Sequence, residues 1–331
     1  MRKVKSPISG FEYNNETAYK SDIEVLEFAR SLRDDGVKTV GVIGLGFVGA
    51  ATATMVGISE QEYGVLGFDV PTDNGLWKIG DFNKGIVPIS CGDEHLSNSF
   101  SVAFSKNKMQ ATPTLSLCSM CDVVIVAINL DVEKVYSDDG ELTYDVVIQP
   151  YLECIKEIAK YISQDTLIIL ESTLPVGFTE GHVLPILQDS FVLRGLDTDA
   201  ILLGHSYERV TPGKNYLASM KNFYRVYSGV NEISKIKTRQ FLETVISTED
   251  FPLTELPKPA ASEMAKLLEN SYRSMNIAFA IEWSRFAEEN LVNLYEVVDA
   301  IRMRPTHANL MYPGIGVGGY CLTKDGLIAA S

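Results

Sequence analysis

The residue with the clearest potential for covalent chemistry is Cys321, near the C-terminus of the 331-residue chain. It follows Gly318 and Gly319, which leave room for a bulky substrate, and it precedes a segment that can begin a helix. The dipole at a helix N-terminus lowers the pKa of a thiol and favours the nucleophilic thiolate. Asp325, four residues on, faces the same side if that segment is helical, and can position a base or a water molecule. A buried structural cysteine is the alternative interpretation.

Lys266 and Asn270 form a second pair with chemical potential. They are four residues apart in a predicted long helix, so both side chains project from one face and can reach one ligand. An ammonium and a carboxamide side by side stabilise an alkoxide or a tetrahedral oxyanion. We expect the neighbours Leu267 and Leu268 to point into the core. The alternative is a solvated helix face without a ligand.

A glycine-rich turn has the spacing of a dinucleotide site. Gly44, Gly46 and Gly49 follow an apolar run and open an alanine-rich helix, where they permit a tight turn, a close approach of pyrophosphate and helix–strand packing. Asp69 ends the next apolar run, about 20 residues on, where a carboxylate binds the ribose hydroxyls and repels a 2′-phosphate. The pattern predicts NAD rather than NADP. A glycine-rich turn without a ligand is the alternative.

These residues need a framework of strands and helices. From Lys38 the chain alternates short β-branched runs with segments of helical length, which predicts a parallel sheet with helices on both faces. A helix over 21–35, ended by Gly36, precedes this region. The five predicted strands lie in the runs VKTVGVIGL, GVLGFDV, CDVVIVAIN, DTLIILEST and DAILLGHS.

The second half is predicted to be helical after the proline-spaced stretch PLTELPKPA. Ser262 is expected to cap a helix running to about Asn290, and a shorter helix is expected over 294–303. The long helix carries an apolar stripe through Met264, Leu267, Leu268, Met275 and Phe279. The predicted fold class is therefore α/β, with a Rossmann-type parallel sheet followed by an all-α central domain. The expected divisions are an N-terminal extension (1–36), a NAD-binding domain (37–255), a central helical domain (256–312) and a cysteine loop (313–331).

Composition excludes several classes of protein. The net charge of −14 would repel nucleic acid and anionic membrane surfaces, and we expect neither partner. No apolar run or N-terminal signal points to a membrane or to secretion, so a cytoplasmic enzyme is expected.

Five scattered cysteines predict reduced thiols. Cys118 and Cys121 form a C-x-x-C pair, which we interpret as buried residues at a helix-to-strand junction. With four histidines and no ligand spacing, no metal site is expected.

Four segments in order resemble the UDP-glucose and UDP-N-acetylmannosamine dehydrogenase family: ESTLPVG, SYERVTPG, SEMAKLLENSYRSMNIAFAIE and GIGVGGYCLTKD. The resemblance covers most of the chain from Lys38 to Asp325. It implies a UDP-sugar 6-dehydrogenase that oxidises a primary alcohol to a carboxylate with two NAD⁺ per turnover. The intermediates would be a thiohemiacetal and a thioester on Cys321. It also implies that the long helix forms a homodimer.

The resemblance and the spacing together assign two sets of residues. Glu208 matches the glutamate that activates the water for thioester hydrolysis, and Ser172 and Thr173, at the carboxyl edge of the sheet, are expected to contact the nicotinamide. Arg209 is expected to hold a phosphate or to pair with a surface acid. The predicted catalytic residues are Cys321, Lys266, Asn270, Glu208 and Asp325. The predicted cofactor-binding residues are Gly44, Gly46, Phe47, Val48, Gly49, Asp69, Ser172, Thr173 and Lys324.

The sequence also departs from the family pattern. Leu130 and Asp131 replace a usual Thr-Pro pair, Tyr207 replaces a proline, and Tyr320 replaces a serine or histidine before the cysteine. In the family a second Rossmann-like domain follows the cysteine and binds the nucleotide diphosphate, whereas six residues follow Asp325 here. We therefore expect a shortened chain or a loss of that domain, with weak binding of a UDP-sugar by this piece alone.

Two other functions fit part of the pattern. A β-hydroxyacid dehydrogenase of the 6-phosphogluconate dehydrogenase type also pairs a Rossmann domain with a helical domain carrying Lys-x-x-x-Asn, but it needs no nucleophilic thiol. A non-catalytic NAD-binding dimerisation module would bind NAD without forming NADH. Cys321 separates the leading hypothesis from the first alternative, and NAD binding without formation of NADH would distinguish the second.

Overall fold

A computed structural model describes residues 3–136, 139, 142–211 and 213–331. By internal contacts the chain forms two compact units. The first comprises residues 1–130, 148–172 and 177–262, and the second comprises 131–147, 173–176 and 263–331.

The strands, in chain order, are β1 Val4–Lys5, β2 Glu12–Tyr13, β3 Thr39–Ile43, β4 Gly64–Phe68, β5 Met109–Thr112, β6 Val123–Val126, β7 Asp131–Tyr136, β8 Leu142–Val147, β9 Leu167–Leu170, β10 Leu202–His205, β11 Val226–Gly229 and β12 Thr254–Glu255. The α-helices are α1 Asn15–Ala18, α2 Asp22–Asp34, α3 Phe47–Gly57, α4 Asp73–Phe82, α5 Glu94–Ser105, α6 Gln149–Ala159, α7 Leu184–Leu193, α8 Tyr216–Lys221, α9 Glu232–Val245, α10 Pro259–Glu289, α11 Leu294–Arg302 and α12 Asp325–Ala330. Short 3₁₀ turns cover Leu115–Met120, Thr198–Ala200 and Pro305–His307, and a π-helical turn covers Thr179–Val183.

An eight-stranded sheet organises the first unit, in the order β12-β11-β10-β9-β6-β3-β4-β5. The five predicted strands are confirmed as β3, β4, β6, β9 and β10, and neighbours among them are parallel. The prediction of a wholly parallel sheet is wrong at one position, because β11 runs antiparallel to β10. Strands β5, β11 and β12 were not predicted from the sequence. Their segments, MQAT, VYSG and TE, are short and partly polar, and β12 lies inside the stretch expected to be a break.

The core of the first unit lies against β3 and its neighbours. Every residue of β3 and β4 is buried, as expected for strands covered on both faces. Helix α3 is buried from Gly49 to Gly57, where most of its side chains are small. The helix packs closely against α5: a Cβ added at Gly57 would lie 2.8 Å from the Ala103 Cβ. The glycine-rich turn is therefore attached to a tightly packed helix.

The N-terminal segment contains more structure than the one predicted helix. That helix is confirmed as α2, capped by Ser21 and Glu24 in a capping box. Before it, β1 and β2 pair as an antiparallel hairpin. The hydroxyl groups of Ser6, Ser9 and Tyr13 all donate to the buried carboxylate of Asp81, at 2.5, 2.5 and 2.7 Å. Burial, and then the bond to Asp81, raises the pKa of Tyr13, so its hydroxyl remains a donor.

The second unit contains the hairpin β7–β8, the helices α11 and α12, and α10 from residue 263 onward. The helical character predicted for 256–312 is confirmed by α10 and α11. The prediction that Ser262 caps the long helix is wrong, because α10 begins at Pro259, a residue suited to the first helical turn. Ser262 instead donates to the Pro259 carbonyl oxygen at 2.9 Å within that turn.

The apolar stripe of α10 is divided between core and surface. Leu267 is buried, as predicted. Leu268 was expected to point into the core but is 66% exposed, because a residue one position on lies about 100° around a helix. Met264, Met275 and Phe279 are also more than half exposed. None of the helices in the described part of the chain has both the length and the apolar character that a bilayer span requires.

Candidate active site

The glycine-rich turn between β3 and α3 has the geometry of a pyrophosphate cradle. Gly44 has φ +92°, a left-handed conformation that favours glycine, and its N–H donates to the Phe68 carbonyl oxygen at 2.8 Å. A Cβ at Gly49 would lie 1.8 Å from the Gly44 carbonyl oxygen, so this position admits no side chain. A Cβ at Gly46 would meet nothing within 4 Å. Two glycines therefore shape the turn, and the third leaves its outer side open to a ligand.

The start of α3 supplies hydrogen-bond donors to this open side. Gly46 is the N-cap residue and has no side chain to satisfy the first turn. The first intrahelical bond runs from the Ala50 N–H to the Gly46 carbonyl oxygen, at 2.9 Å. The N–H groups of Phe47, Val48 and Gly49 precede it and point along the helix axis, as in helix termini that bind phosphate. The residues present fit the pyrophosphate of a dinucleotide.

Asp69 lies directly beside the glycine-rich turn. Its Oδ2 accepts a hydrogen bond from the Leu45 N–H at 3.0 Å, and its Oδ1 accepts one from the Val70 N–H at 2.8 Å. The Lys78 Nζ lies 3.6 Å from Oδ2, a contact not predicted from the sequence. Because carboxylate oxygens accept several hydrogen bonds, the fixed carboxylate can still receive the ribose hydroxyls.

Ser172 lies at the carboxyl end of β9, as predicted. Its hydroxyl donates to the Val126 carbonyl oxygen at 3.2 Å, which ties the ends of β9 and β6 together. Its own carbonyl oxygen lies 3.3 Å from Nε2 of the buried His205, whose Nδ1 lies 2.7 Å from the Ser262 Oγ. Thr173, the next residue, belongs to the second compact unit and is half-buried.

A buried ion pair, not predicted from the sequence, lies next to Ser172. The Arg225 guanidinium contacts the Glu171 carboxylate, and both side chains are almost completely buried. Thr52 of α3 donates to the same carboxylate at 2.7 Å, and the Arg225 Nη2 also donates to the Ser206 carbonyl oxygen at 3.0 Å. Because each partner neutralises and bonds the other, losing either one leaves a buried charge uncompensated. The network connects α3, β9 and β11.

Glu208 follows β10 and is buried, with 6% of its surface exposed. Its Oε2 accepts a hydrogen bond from the Val210 N–H at 2.5 Å, which fixes the carboxylate in the turn. The neighbouring Arg209 stacks against the rings of Tyr207 and Phe223 and donates to the Tyr224 carbonyl oxygen at 3.1 Å. Arg209 was expected to hold a phosphate or to pair with a surface acid, and these contacts show that it also packs against aromatic rings and bonds the backbone.

The second unit brings several predicted residues together. The Asn270 Nδ2 donates to the Asp325 Oδ2 at 2.6 Å, and the Lys324 Nζ lies 3.2 Å from the Asp325 Oδ1. Asp325 and Lys324 are buried, and so is Lys266, one turn before Asn270 on α10. The Asp325 carboxylate thus lies between an amide and an ammonium group. Charged and polar groups therefore converge on the base of the cysteine loop.

Cys321 itself is exposed to solvent. Its carbonyl oxygen accepts hydrogen bonds from the N–H groups of Lys324 and Asp325, at 3.1 and 2.9 Å. The second bond spans four residues, but residues 321–324 form a turn rather than part of the helix. Helix α12 proper begins at Asp325, just after the thiol.

The pair Cys118 and Cys121 has the buried junction position expected of it. Cys118 lies in the 3₁₀ turn Leu115–Met120, and Cys121 follows that turn and precedes β6. Burial raises the pKa of Cys118 to about 12 and raises that of Cys121. Such thiols stay protonated at neutral pH and are poor nucleophiles. Within the described ranges, no group of three or more His, Cys, Asp or Glu side chains is arranged to hold a metal ion.

The glycine-rich turn, Asp69 and the parallel strands define a dinucleotide-binding domain. The family model of the UDP-glucose/GDP-mannose dehydrogenase NAD binding domain matches residues 38–245, and that of the central domain matches residues 260–330. The chain therefore belongs to the UDP-glucose/GDP-mannose dehydrogenase family. The expected resemblance is confirmed, and the cofactor of the first domain is NAD.

Individual relatives agree with this assignment. UDP-N-acetyl-D-mannosamine dehydrogenases from Pyrococcus horikoshii and Methanocaldococcus jannaschii are both 30% identical to it, over 86% and 87% of this chain. A solved structure of UDP-D-ManNAc dehydrogenase from Pyrococcus horikoshii has a TM-score of 0.73 at 27% identity and covers 88% of this chain. The chain spans 62%, 60% and 63% of the lengths of these three proteins.

Proposed function

We propose that the protein takes part in a NAD-dependent 6-dehydrogenation of a nucleotide sugar, in which Cys321 carries the oxidised carbon. The observation that carries the proposal is the cysteine loop: an exposed thiol beside a short helix, whose first residue, Asp325, is bonded to Asn270. A single-step alcohol oxidation needs no such thiol. The names of the relatives support a UDP-sugar as substrate.

The proposed chemistry begins at the primary alcohol of the sugar. NAD⁺, held by the residues named below, would supply the hydride acceptor, and the two oxidation steps would reduce two NAD⁺ molecules per sugar. Lys266 and Asn270, on one face of α10, stabilise the negative charge on the reacting oxygen as the alcohol loses its proton to water. The first oxidation leaves an aldehyde. The Cys321 thiolate then forms a C–S bond to the aldehyde carbon, and the oxygen takes up a proton to give a thiohemiacetal.

The second oxidation removes a hydride and a proton from the thiohemiacetal and leaves a thioester on Cys321. Water then attacks the carbonyl carbon, the C–S bond breaks, and the carboxylate and the free thiol are released. We assign the activation of this water to Glu208, because a fixed carboxylate suits a general base. Asp325, held between Asn270 and Lys324, positions the loop that carries the thiol.

In the same proposal NAD is held by the cofactor-binding set predicted from the sequence. Gly44 and Gly49 shape the turn, and the Gly46 side of it, with Phe47 and Val48, receives the pyrophosphate. Asp69 receives the ribose hydroxyls. Ser172, Thr173 and Lys324 are assigned to the nicotinamide end.

We also propose that the protein is a homodimer formed through α10. Its exposed face carries large apolar side chains at successive turns, and contiguous apolar surface of this kind marks an interaction site. These residues are Met264, Leu268, Tyr272, Met275, Phe279, Trp283 and Phe286. A cytoplasmic location is proposed as well, supported by the five free cysteines.

The test is stoichiometric. The protein is incubated with NAD⁺ and a panel of UDP- and GDP-sugars, including UDP-N-acetyl-D-mannosamine, and NADH formed is counted per sugar consumed. A ratio of two supports the proposal. A ratio of one would indicate a β-hydroxyacid type of single oxidation, and NAD binding without any NADH across the panel would indicate a non-catalytic module.

A further inference from the structure

We propose that the β7–β8 hairpin positions the nucleophile, through a bond from Tyr320 to Asp131 and a bond from Lys134 to the backbone of Thr323. The hairpin and the cysteine loop belong to the same compact unit. Asp131 and Lys134 are then positioning residues for Cys321, and this role rests on the proposed function of that thiol.

The hairpin contacts the loop on both sides of the thiol. The Tyr320 hydroxyl, one residue before Cys321, donates to the Asp131 Oδ1. The Lys134 Nζ donates to the Thr323 carbonyl oxygen, two residues after Cys321, at 2.6 Å. Both contacts come from β7, so one strand holds the side chain of the residue before the thiol and the backbone two residues after it.

Helix α10 holds the same loop through other atoms. The Ser274 Oγ donates to the Leu322 carbonyl oxygen at 3.3 Å, and Asn270 holds Asp325 at 2.6 Å. Within the loop, the Thr323 Oγ1 donates to the Gly319 carbonyl oxygen at 2.9 Å. Since Gly319 has φ +87° and Cβ atoms at Gly318 and Gly319 would meet nothing, the loop depends on these polar contacts rather than on packing.

The Tyr320 hydroxyl remains protonated and can therefore donate to Asp131 at all times. Burial, followed by the hydrogen bond to Asp131, raises the pKa of Tyr320. Its hydroxyl therefore stays protonated at neutral pH, and the bond to the carboxylate is charge-assisted. The Lys324 Nζ lies 5.1 Å from the centre of the Tyr320 ring, which adds a cation–π contact on the other side of Cys321.

Asp131 and Tyr320 are also two of the positions at which the sequence departs from the family pattern. The structure shows that these two departures contact each other. A chain with a threonine–proline pair at 130–131 has no carboxylate at 131 to accept such a bond. The pair is thus a feature of this chain, and it links the segment after β6 to the residue before the thiol.

The first test needs neither substrate nor cofactor. The N–H groups of Lys324 and Asp325, both bonded to the Cys321 carbonyl oxygen, report on loop order through hydrogen–deuterium exchange. Asp131→Ala and Tyr320→Phe are each expected to speed exchange in the peptide covering 319–326 about fivefold, the equivalent of about 1 kcal/mol. The double variant is expected to exchange no faster than either single one, because both remove the same bond.

Two variants separate a specific pair from general loosening. Asp131→Asn keeps an acceptor for the Tyr320 hydroxyl and is expected to restore slow exchange. Tyr312→Phe, which removes a similar tyrosine–carboxylate bond to Asp299 elsewhere in the unit, is the matched control and should leave 319–326 unchanged. Additive effects in the double variant, or unchanged exchange in Asp131→Ala, would overturn the proposal.

The second test uses turnover with the nucleotide sugar identified above. Asp131→Ala is expected to lower kcat about fivefold with KM unchanged, because the thiol is misplaced while substrate binding is kept. Asp131→Asn should recover kcat. A rise in KM with unchanged kcat would contradict positioning of Cys321. If the wild-type protein shows no turnover, the proposed function fails, while the exchange experiment still decides whether the hairpin orders the loop.

Discussion

The glycine-rich turn at 44–49 and the cysteine loop at 318–325 both carry predicted site residues, but different forces hold them. The turn is fixed by close packing: a Cβ at Gly49 would lie 1.8 Å from a backbone oxygen. The cysteine loop is exposed from Gly318 to Cys321, has open space at its glycines, and is held by side-chain hydrogen bonds from β7 and α10. Steric packing gives a permanent cradle, whereas polar contacts hold a loop whose geometry single side chains can alter.

The largest expected effect of a substitution is the loss of stability when the buried Glu171–Arg225 pair, which is bonded to α3 through Thr52, is broken. Arg225→Met should lower the free energy of unfolding by about 3–5 kcal/mol, because the buried Glu171 carboxylate loses its counter-charge. Urea unfolding measures the difference. Arg239→Met, which breaks an exposed pair with Glu243, is the control and should cost less than about 1 kcal/mol. Equal effects of the two variants would show that the buried pair does not support this region.

The next prediction separates packing from ligand approach within the turn. Gly49→Ala should destabilise the protein by about 1–3 kcal/mol, because the methyl group meets the backbone of Gly44. Gly46→Ala should cost less, about 0.5–1 kcal/mol, because it meets no clash but alanine is a poorer N-cap residue than glycine. It should nevertheless weaken NAD binding about tenfold, since its methyl group occupies the open side of the turn. Thermal unfolding and NAD titration of both variants test this.

Unchanged NAD affinity in Gly46→Ala would place the pyrophosphate elsewhere. Equal losses of stability in the two variants would contradict the packing difference on which the comparison rests.

The glycine-rich turn could be predicted from the sequence, whereas the contacts that hold the cysteine loop could not. Gly44, Gly46 and Gly49 were identified from residue types alone, because glycine is needed where backbone approaches backbone. Five strands followed from their β-branched runs. The sequence did not predict the antiparallel β11, the Glu171–Arg225 pair, or the two contacts from β7 to the cysteine loop. The contacts from Asp131 and Lys134 each span 189 residues, and no local pattern in the chain encodes such a pairing.

The start of α10 illustrates a further difficulty. Ser262 has the residue type of a helix cap, yet its hydroxyl lies 2.7 Å from both His205 and Ser228 inside the first turn. Local propensity gave the right element and the wrong boundary, because tertiary contacts occupy the serine. Asn270 and Asp325 were predicted as catalytic residues and Lys324 as a cofactor-binding residue from ordered motifs, and the structure brings these three side chains together.

A smaller effect concerns the thiols that the site does not use. In the unfolded chain Cys118 ionises near pH 9, whereas burial raises its pKa in the folded protein to about 12. As pH rises from 9 to 12 the unfolded state loses this proton first, so stability falls by at most about 1.4 kcal/mol per pH unit from this group. Urea unfolding at pH 8 and pH 10.5 should show a shallower fall for Cys118→Ala than for wild type. Identical slopes would contradict the burial of this thiol.

The central proposal is that Cys321 binds the aldehyde formed by the first oxidation and carries the sugar through the second. The most direct measurement is NADH formed per sugar, with product analysis, for wild type, Cys321→Ser and the control Cys154→Ser. We predict a ratio of two and a carboxylate product for wild type and for the control. Cys321→Ser should stop at the aldehyde with a ratio of one. A ratio of two and a carboxylate product from Cys321→Ser would contradict the account.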